Sequence, residues 1–448
     1  MKHRLKPCPI RLAISIALAA LLFFVFPYQP LYAQSLKIYH IDVEQADAIL
    51  IVSPGGHTLL IDSGKNGHGS RIKKIMQQAG LSRIDYFVST HYHEDHYGGI
   101  DDLANDAEIT IGKIFDRGDK DFIPASKRNS PSFKDYQDAG GNHAEQLTRG
   151  ETIPLDDAMS VTCIASGGVV LQELNPVTGV DENDMSIALL IQYGDFRYFI
   201  GGDIEKPTEE KIAARDLVMD VDVYEADHHG SDTSSAPDFM KDLKPTVIII
   251  SNGNHGTYKH PRQTTLDFYS ALNPEPVVFQ TNKYLKGGAG GNVADEFIAD
   301  LETVDKDGTI LVSVDEPAGT YTVSYRDVSR TYSIKNRGNQ RATIVIERLL
   351  PDPDGADRIN EEVILRNDSA SAVSMAGWTL EDESGRIWAL VSLGSLNPGQ
   401  SVAIKRNAMP MSLDNDGDKI SLFSASHQLV DRFEYTGSQR GVWVETGH

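Results

Sequence analysis

Cysteine is nearly absent from this 448-residue chain, which holds two, Cys8 and Cys163. Cys8 falls in an N-terminal segment read below as removed, so Cys163 stands alone and an intramolecular disulfide is excluded. Long apolar runs are also missing. The one extended stretch, Leu12 to Phe26, has 15 residues, short of the roughly 20 that a membrane-spanning helix needs. Positive charge is scarce: 42 Lys and Arg stand against 64 Asp and Glu, a net of −22. So acidic a chain has no general basic field with which to hold a polyanion. Any attraction for one must be local, from metal ions or a small basic patch. No G-x-S-x-G and no Walker sequence occurs, so neither a serine elbow nor ATP dependence is indicated. What remains is ordinary for globular protein, 40% apolar and 24% charged, which excludes collagenous, coiled-coil and wholly disordered classes. The length suits two or three domains.

The first 33 residues have the order of an export signal. The basic stretch MKHRLKPCPIR precedes the apolar run, and LYA-Q offers a cleavage point after Ala33. Leu31 is a less favourable residue there than Ala, so an uncleaved N-terminal anchor is the alternative. Cleavage removes Lys2, Arg4, Lys6 and Arg11 and leaves 38 cations against 64 carboxylates, a balance of −26. Cys8 precedes the apolar run and is no lipoprotein cysteine. The protein is expected to be secreted, extracellular or periplasmic, with no membrane span in its mature chain.

From Leu36 the runs LKIYHIDV, DAILIVS and HTLLIDSG suggest consecutive antiparallel strands. Arg71 to Ala79 has helical periodicity and stops at Gly80. IDYFVST runs into a histidine cluster. Residues 116–142 are polar and are expected to form an exposed insertion or flap. SVTCIAS, SIALLIQY, FRYFIGGD, VDVYEADHHG and PTVIIIS read as further strands, with helices near 208–214 and 238–243. This predicts a β-sheet layered with helices. Residues 328–340 turn polar and are taken as a linker, 341–437 have the short, turn-punctuated strands of a small β-sandwich, and 438–448 form a tail.

His91-Tyr92-His93-Glu94-Asp95-His96 is the strongest signal in the chain. Alternate residues of an extended segment point the same way, so His91 and His93 can grip one ion while Asp95 and His96 face a second. Imidazole and carboxylate suit zinc, and carboxylate also suits manganese. A solvated polar loop is the other reading; three His and an Asp so close together at a strand end weigh against it.

The segment resembles the HxHxDH signature of the metallo-β-lactamase fold. HIDVEQADAILI, VSTHYHEDHYGGI, ENDMSIALLIQYG, FIGGDIE, DHHGSDTSS and YKHP are similar, in this order, to the hydrolase domain of the DNA-uptake competence channel and its secreted relatives. The resemblance covers roughly Leu36 to Tyr325, within a hydrolase domain set at 34–327. It implies an α/β fold, the αββα metallo-β-lactamase sandwich, and two divalent metal ions, Zn or Mn. It also implies hydrolysis by a water activated between them. On that basis Asp62 orients the histidine cluster from behind, Asp203 bridges the two ions, and His260 completes the second site. The sequence departs from the family at Glu44 and Ala46, where glycines are usual, and at the third-motif histidine. Asp184 is the candidate replacement for that ligand, and an ordinary turn at Asn183-Asp184 is the equal alternative. Of His228 and His229, one is expected to reach the metals or to donate a proton to the leaving group, because neighbours on a strand face opposite sides. His229 is the preferred one of the two. Asp95, His229 and His228 are thus the catalytic candidates, and His91, His93, Asp95, His96, Asp184, Asp203 and His260 the metal candidates. His255 is read as a loop residue.

VIERLLPDPDGADRINEEVILRND, AGWTLEDESG, LNPGQSVAI and LDNDGDKISLF resemble a lamin-tail domain, an all-β immunoglobulin-like sandwich with Trp378 in its core. The aspartates at 352, 354 and 357 and at 414, 416 and 418 have calcium-loop spacing but no glutamate at the twelfth position, so Asp-Gly turns are the better reading. The function expected is a secreted metal-dependent phosphodiesterase or nuclease acting on DNA, with the C-terminal module touching a cell surface or polymer. A small-ester hydrolase of the phosphorylcholine esterase or lactonase type is the alternative, and a non-catalytic binding protein the third.

Overall fold

Strands that read as unbroken apolar runs need cover on both faces, and this molecule supplies it. The computed structural model describes residues 35–120, 123–156, 158–171, 181–301, 307–335, 344–369, 372–382, 384–390, 393–424 and 429–446; the expected export segment lies outside them. Ile49–Val52, Thr58–Ile61 and Val247–Ile250 are buried at every position, as strands of a sheet covered on both sides must be. Nine strands form the first sheet, in the order Val328–Ser333, Thr320–Tyr325, Ile310–Asp315, Leu36–His40, Ile49–Val52, Thr58–Ile61, Arg83–Val88, Thr110–Asp116 and Glu145–Gln146. Its opening hairpins are antiparallel as the sequence predicts, with Ile38 opposite Ile51 and Ile49 opposite Ile61. From Thr58–Ile61 onward the pairing turns parallel. Eight strands form the second sheet, from Ile298–Asp300 through Val247–Ile250, Val223–Glu225 and Phe196–Ile200 to Val169–Val170.

The two sheets pack face to face over Ile38, Ile51, Cys163, Leu189, Ile191 and Ile249. Each of these isoleucine and leucine side chains, fully buried, contributes about 1.5–3 kcal/mol. The helix Gly69–Gln78 covers the outer face of the first sheet with Ile72, Ile75 and Met76. Lys206–Ala213 and Pro237–Leu243 cover the second with Ile212, Phe239 and Met240. Four layers result, helix, sheet, sheet, helix.

The structure corrects three expectations. Residues 123–142 are no exposed flap: Ser130 caps the helix Pro131–Asp138 by accepting from the Phe133 amide. Phe133 and Tyr136, three apart on one face, are buried against Tyr92 and Tyr97. The segment read as linker opens with a strand, Val328–Ser333, paired along its length with Thr320–Tyr325, because exposed hydroxyl residues alternate with the half-buried Val328, Arg330 and Tyr332, which suits an edge. Ile334 after it is buried; 336–343 lie outside the described residues. The tail also contributes a strand, Val444–Glu445, beside Ile344–Leu350.

Beyond residue 343 two four-stranded sheets form a sandwich. Ser401–Lys405, Glu362–Asn367, Ile344–Leu350 and Val444–Glu445 make one, and Ile387–Ala389, Thr379–Glu381, Asp418–Phe423 and Leu429–Tyr435 the other. Trp378 is buried between them together with Trp388. Asp414 accepts from the Asp416 amide at 3.0 Å, and Gly417 takes a positive φ of 128°, the geometry of an Asp-Gly turn.

Candidate metal centre

The candidate ligands other than Asp184 follow the ends of strands. Arg83–Val88 leads into His91, His93, Asp95 and His96; Phe196–Ile200 leads through two glycines to Asp203; Val223–Glu225 leads to His228 and His229; and Val247–Ile250 leads into the loop ending at His260. Tyr92 points away from the site. Its ring lies 4.4 Å beneath the Arg117 guanidinium, and Arg117, fully buried, clasps Glu182 with two hydrogen bonds of 2.7 Å. Glu182 also accepts from the Tyr92 amide at 2.9 Å. With Tyr92 anchored, its neighbours His91 and His93 turn to one side, and their Nε2 and Nδ1 atoms come within 3.0 Å.

Asp203 stands at the centre of the cluster. Its Oδ2 lies 3.3 Å from His96 Nε2, 3.7 Å from His91 Nε2 and 3.8 Å from His228 Nε2, while Oδ1 lies 3.8 Å from His229 Nε2. Donor atoms gather around it in two groups: His91, His93 and Asp203; and Asp47, His96, Asp203 and His229, each within 4.8 Å of one another. Asp62 is fully buried behind them. A positive φ of 56° turns its carboxylate inward, where it accepts from the Thr90 amide and hydroxyl at 2.8 and 2.7 Å and meets His96 Nδ1 at 2.8 Å. That contact fixes the ring so that Nε2 faces Asp203.

His228 and His229 do not diverge. Both have positive φ, 51° and 54°, in a tight turn spanning Asp227–Gly230, so the alternation of a strand does not apply and both rings face Asp203. They differ in setting. His229 is buried, its Nδ1 at 3.0 Å from the Ser251 carbonyl and 3.3 Å from Asp47. His228 is 18% exposed, and its Nδ1 rests 3.2 Å from Glu205. Asp95 approaches His229 Nε2 at 4.0 Å, and the buried His260 ring lies 5.2 Å from that of His228. Asp184 is not brought to the His91 pair. It stands with Asp181 and Glu205, its Oδ1 accepting the Glu205 amide at 3.1 Å, within the turn Asn183–Met185.

Opposite charges set the electrostatics. Burial opposes ionisation of Asp203, but His96, His228 and His229 outweigh it and hold the carboxyl well below its usual range. Burial likewise opposes charge on His96 and His229. Asp203 and Asp62 overcome it at the first, and Asp47 and Asp203 raise the second to about 10. His91 and His93 go the other way, kept neutral mainly by burial, the form in which an imidazole binds metal.

The residues fit divalent cations. Asp47 Oδ1, His96 Nε2, Asp203 Oδ1, His229 Nε2 and His260 Nδ1 are buried without a hydrogen bond of good geometry, whereas buried polar atoms are nearly always paired. Nitrogen and carboxylate oxygen are the donors that zinc and manganese take. Beside His93 opens a cavity of about 340 Å³ lined by Tyr92, Ile123, Pro124, Lys127, Asp181 and Glu182. Asp47 escaped the sequence reading, although its place two residues before the apolar strand ILIV, in the segment HIDVEQADAILI, was its signal. Nothing in the sequence marked Glu205.

Comparison with known proteins agrees with this architecture. Residues 41–122 match the family model of the metallo-beta-lactamase superfamily, and residues 338–437 that of the Lamin Tail Domain. ComE operon protein 3 of Bacillus subtilis is 22% identical over 269 residues, which cover 55% of this chain and 32% of that protein. Recombination protein 2 of Haemophilus influenzae is 27% identical over 264 residues, covering 57% and 29%. Competence protein ComA of Neisseria gonorrhoeae is 28% identical over 229 residues, covering 50% and 28%. The chain thus spans about a third of the length of the curated relatives it matches.

Proposed function

We propose that this chain, a metallo-β-lactamase domain followed by a lamin tail domain, is an exported metal-dependent phosphodiesterase that cuts DNA. One observation carries the reading: a single buried carboxylate, Asp203, is shared by two separate groups of metal donors, the requirement for a pair of ions acting on one phosphate. His91, His93 and Asp203 would hold one ion. Asp47, His96, His229 and Asp203 would hold the other, with Asp95 and His260 at its edge. Such ions, when bound, lower the pKa of water and neutralise charge on phosphate oxygens. Asp62 keeps His96 in one tautomer and orientation. His228 is the group placed to hand a proton to the leaving oxygen: it is the more exposed of the pair, its Nε2 faces Asp203, and Glu205 steadies its Nδ1. The competence protein among the relatives agrees with the resemblance to the hydrolase domain of the DNA-uptake channel, and that resemblance supports DNA as the substrate. The basic-then-apolar order of residues 1–33 supports export, and among the described residues no helix is long and apolar enough to cross a membrane. The lamin tail domain would meet a cell surface or polymer.

A small-ester hydrolase is the second reading, favoured by the net charge of −22. The test is hydrolysis of bis(p-nitrophenyl) phosphate and of end-labelled DNA by the full chain, with Zn or Mn added after chelation. Metal-dependent cutting of both is expected. A metal-loaded protein that leaves both intact and hydrolyses a phosphorylcholine ester or a lactone would establish the second reading instead.

A further inference from the structure

The carboxylates of this chain are unevenly spread. With 64 Asp and Glu in 448 residues, stretches 243–266 and 276–294 contain none. These two stretches meet beside His260: Asn254 Oδ1 accepts the Leu285 amide at 2.8 Å. A Cβ placed on Gly288 would stand 3.5 Å from Lys259 Nζ, and one on Gly256 3.8 Å from the Lys286 side chain. Both lysines therefore lie over this pair of loops, and among the described residues neither has a carboxylate within ion-pair distance.

The same loops expose apolar surface. Tyr258 is 48% and Leu285 54% exposed, two of the few large apolar side chains so exposed. The Tyr258 ring is stacked on His255, with centroids 4.6 Å apart and planes at 26°. Its other neighbour is His260, at 6.2 Å. An aromatic face thus stands beside His260 of the metal centre, on loops that carry Lys259 and Lys286 and no carboxylate, within a chain of net charge −22.

Resting on the phosphodiesterase reading above, we propose that these loops form a platform for single-stranded nucleic acid, with an unstacked base lying on Tyr258 and its backbone phosphates on Lys259 and Lys286. Stacking of bases on aromatic side chains beside a basic track is how single strands are held without regard to sequence. A duplex keeps its bases inside and offers Tyr258 nothing to stack on. The platform therefore selects strand state, and it supplies the local attraction that the acidic surface denies.

The test is fluorescence anisotropy of a labelled, phosphorothioate-linked oligothymidylate, which resists cutting, with the metal-loaded full chain. Tyr258→Ala should weaken binding about thirty-fold, the middle of the range for losing one stacked base, and Tyr258→Phe should restore it. Lys259→Ala and Lys286→Ala should each lower the slope of log K against log salt by about 0.7. Near-ultraviolet circular dichroism checks that each variant is folded. Unchanged affinity in Tyr258→Ala, or a duplex of the same length bound as tightly as the single strand, overturns the platform. The two readings fail separately. Single strands held at Tyr258 by a protein that hydrolyses no phosphodiester would sink the enzyme and leave the platform. Hydrolysis of bis(p-nitrophenyl) phosphate with single-strand affinity indifferent to Tyr258 would do the reverse.

Discussion

Replacing Asp203 by Asn keeps the volume of the side chain and removes its charge from the centre of four imidazoles, which stand 3.3–3.8 Å from its oxygens. At an effective dielectric of about 20, a unit charge acts on another 4 Å away by about 4 kcal/mol, or roughly three decades in affinity at 1.4 kcal/mol per decade. Because the carboxylate belongs to both donor groups, both sites should weaken by about that factor. Bound metal per chain, measured by plasma mass spectrometry after dialysis, should fall by more than half. Diester hydrolysis at micromolar metal should drop about a thousand-fold or more. Asp62→Asn touches one imidazole from behind and should cost about 10–100-fold. Asp184→Asn, whose carboxylate faces the Glu205 amide and not the His91 pair, should leave metal content unchanged. If Asp184→Asn loses as much metal as Asp203→Asn, the division of donors argued above is wrong.

Three further outcomes are expected. A chain ending after Lys335 keeps the strand Val328–Ser333, the Ile334 contact with Gly319 and the Lys335 amide bond to Asp222; it should hydrolyse a small diester at the full-length rate, whereas one ending at 327 should melt lower in a thermal scan. Arg117→Met leaves the Glu182 carboxylate behind without its clasp and should destabilise by about 3–5 kcal/mol, read from urea denaturation. Glu209, buried on the helix behind the His228 turn, is pushed up to about 7 from 4.5, chiefly by burial. It shares a hydrogen bond with Asp227, also buried and raised well above its usual range; the folded pair binds protons more tightly than the unfolded chain, so stability falls as pH rises from about 4.5 through about 7. Glu209→Gln should flatten that slope, and an unchanged slope between pH 5 and 8 would refute the assignment.

What the sequence disclosed and what it hid follow from the range of the forces involved. Strand period, apolar runs and the spacing of His91, His93 and His96 are local, and the layered sheets, the histidine cluster and the buried Trp378 were legible from them. The helix Pro131–Asp138 was not, because only Phe133 and Tyr136 of its eight residues are buried and a polar count conceals a stripe that narrow. Val328–Ser333 was hidden for a related reason: an edge strand exposed on one face carries serine, arginine and threonine like any linker.

The site was harder to read wherever backbone conformation decided what a side chain meets. His228 and His229 look like neighbours on a strand until their φ values of 51° and 54° are known. A left-handed pair reverses the alternation rule and sends both rings to Asp203. Non-glycine residues pay steric strain there, and the strain persists because the turn is tied down on several sides. The His228 amide bonds the Gly202 carbonyl at 3.0 Å, and the His229 ring bonds Ser251. Gly202, itself at φ 58°, brings its backbone so close to Thr90 that a Cβ would stand 2.8 Å from the hydroxyl, and that hydroxyl is held by Asp62. Thr90, Gly202 and His228 are far apart in the chain. The positions of Asp203 and both histidines are therefore set by one set of contacts made across three strand ends, which only the folded sheets bring together.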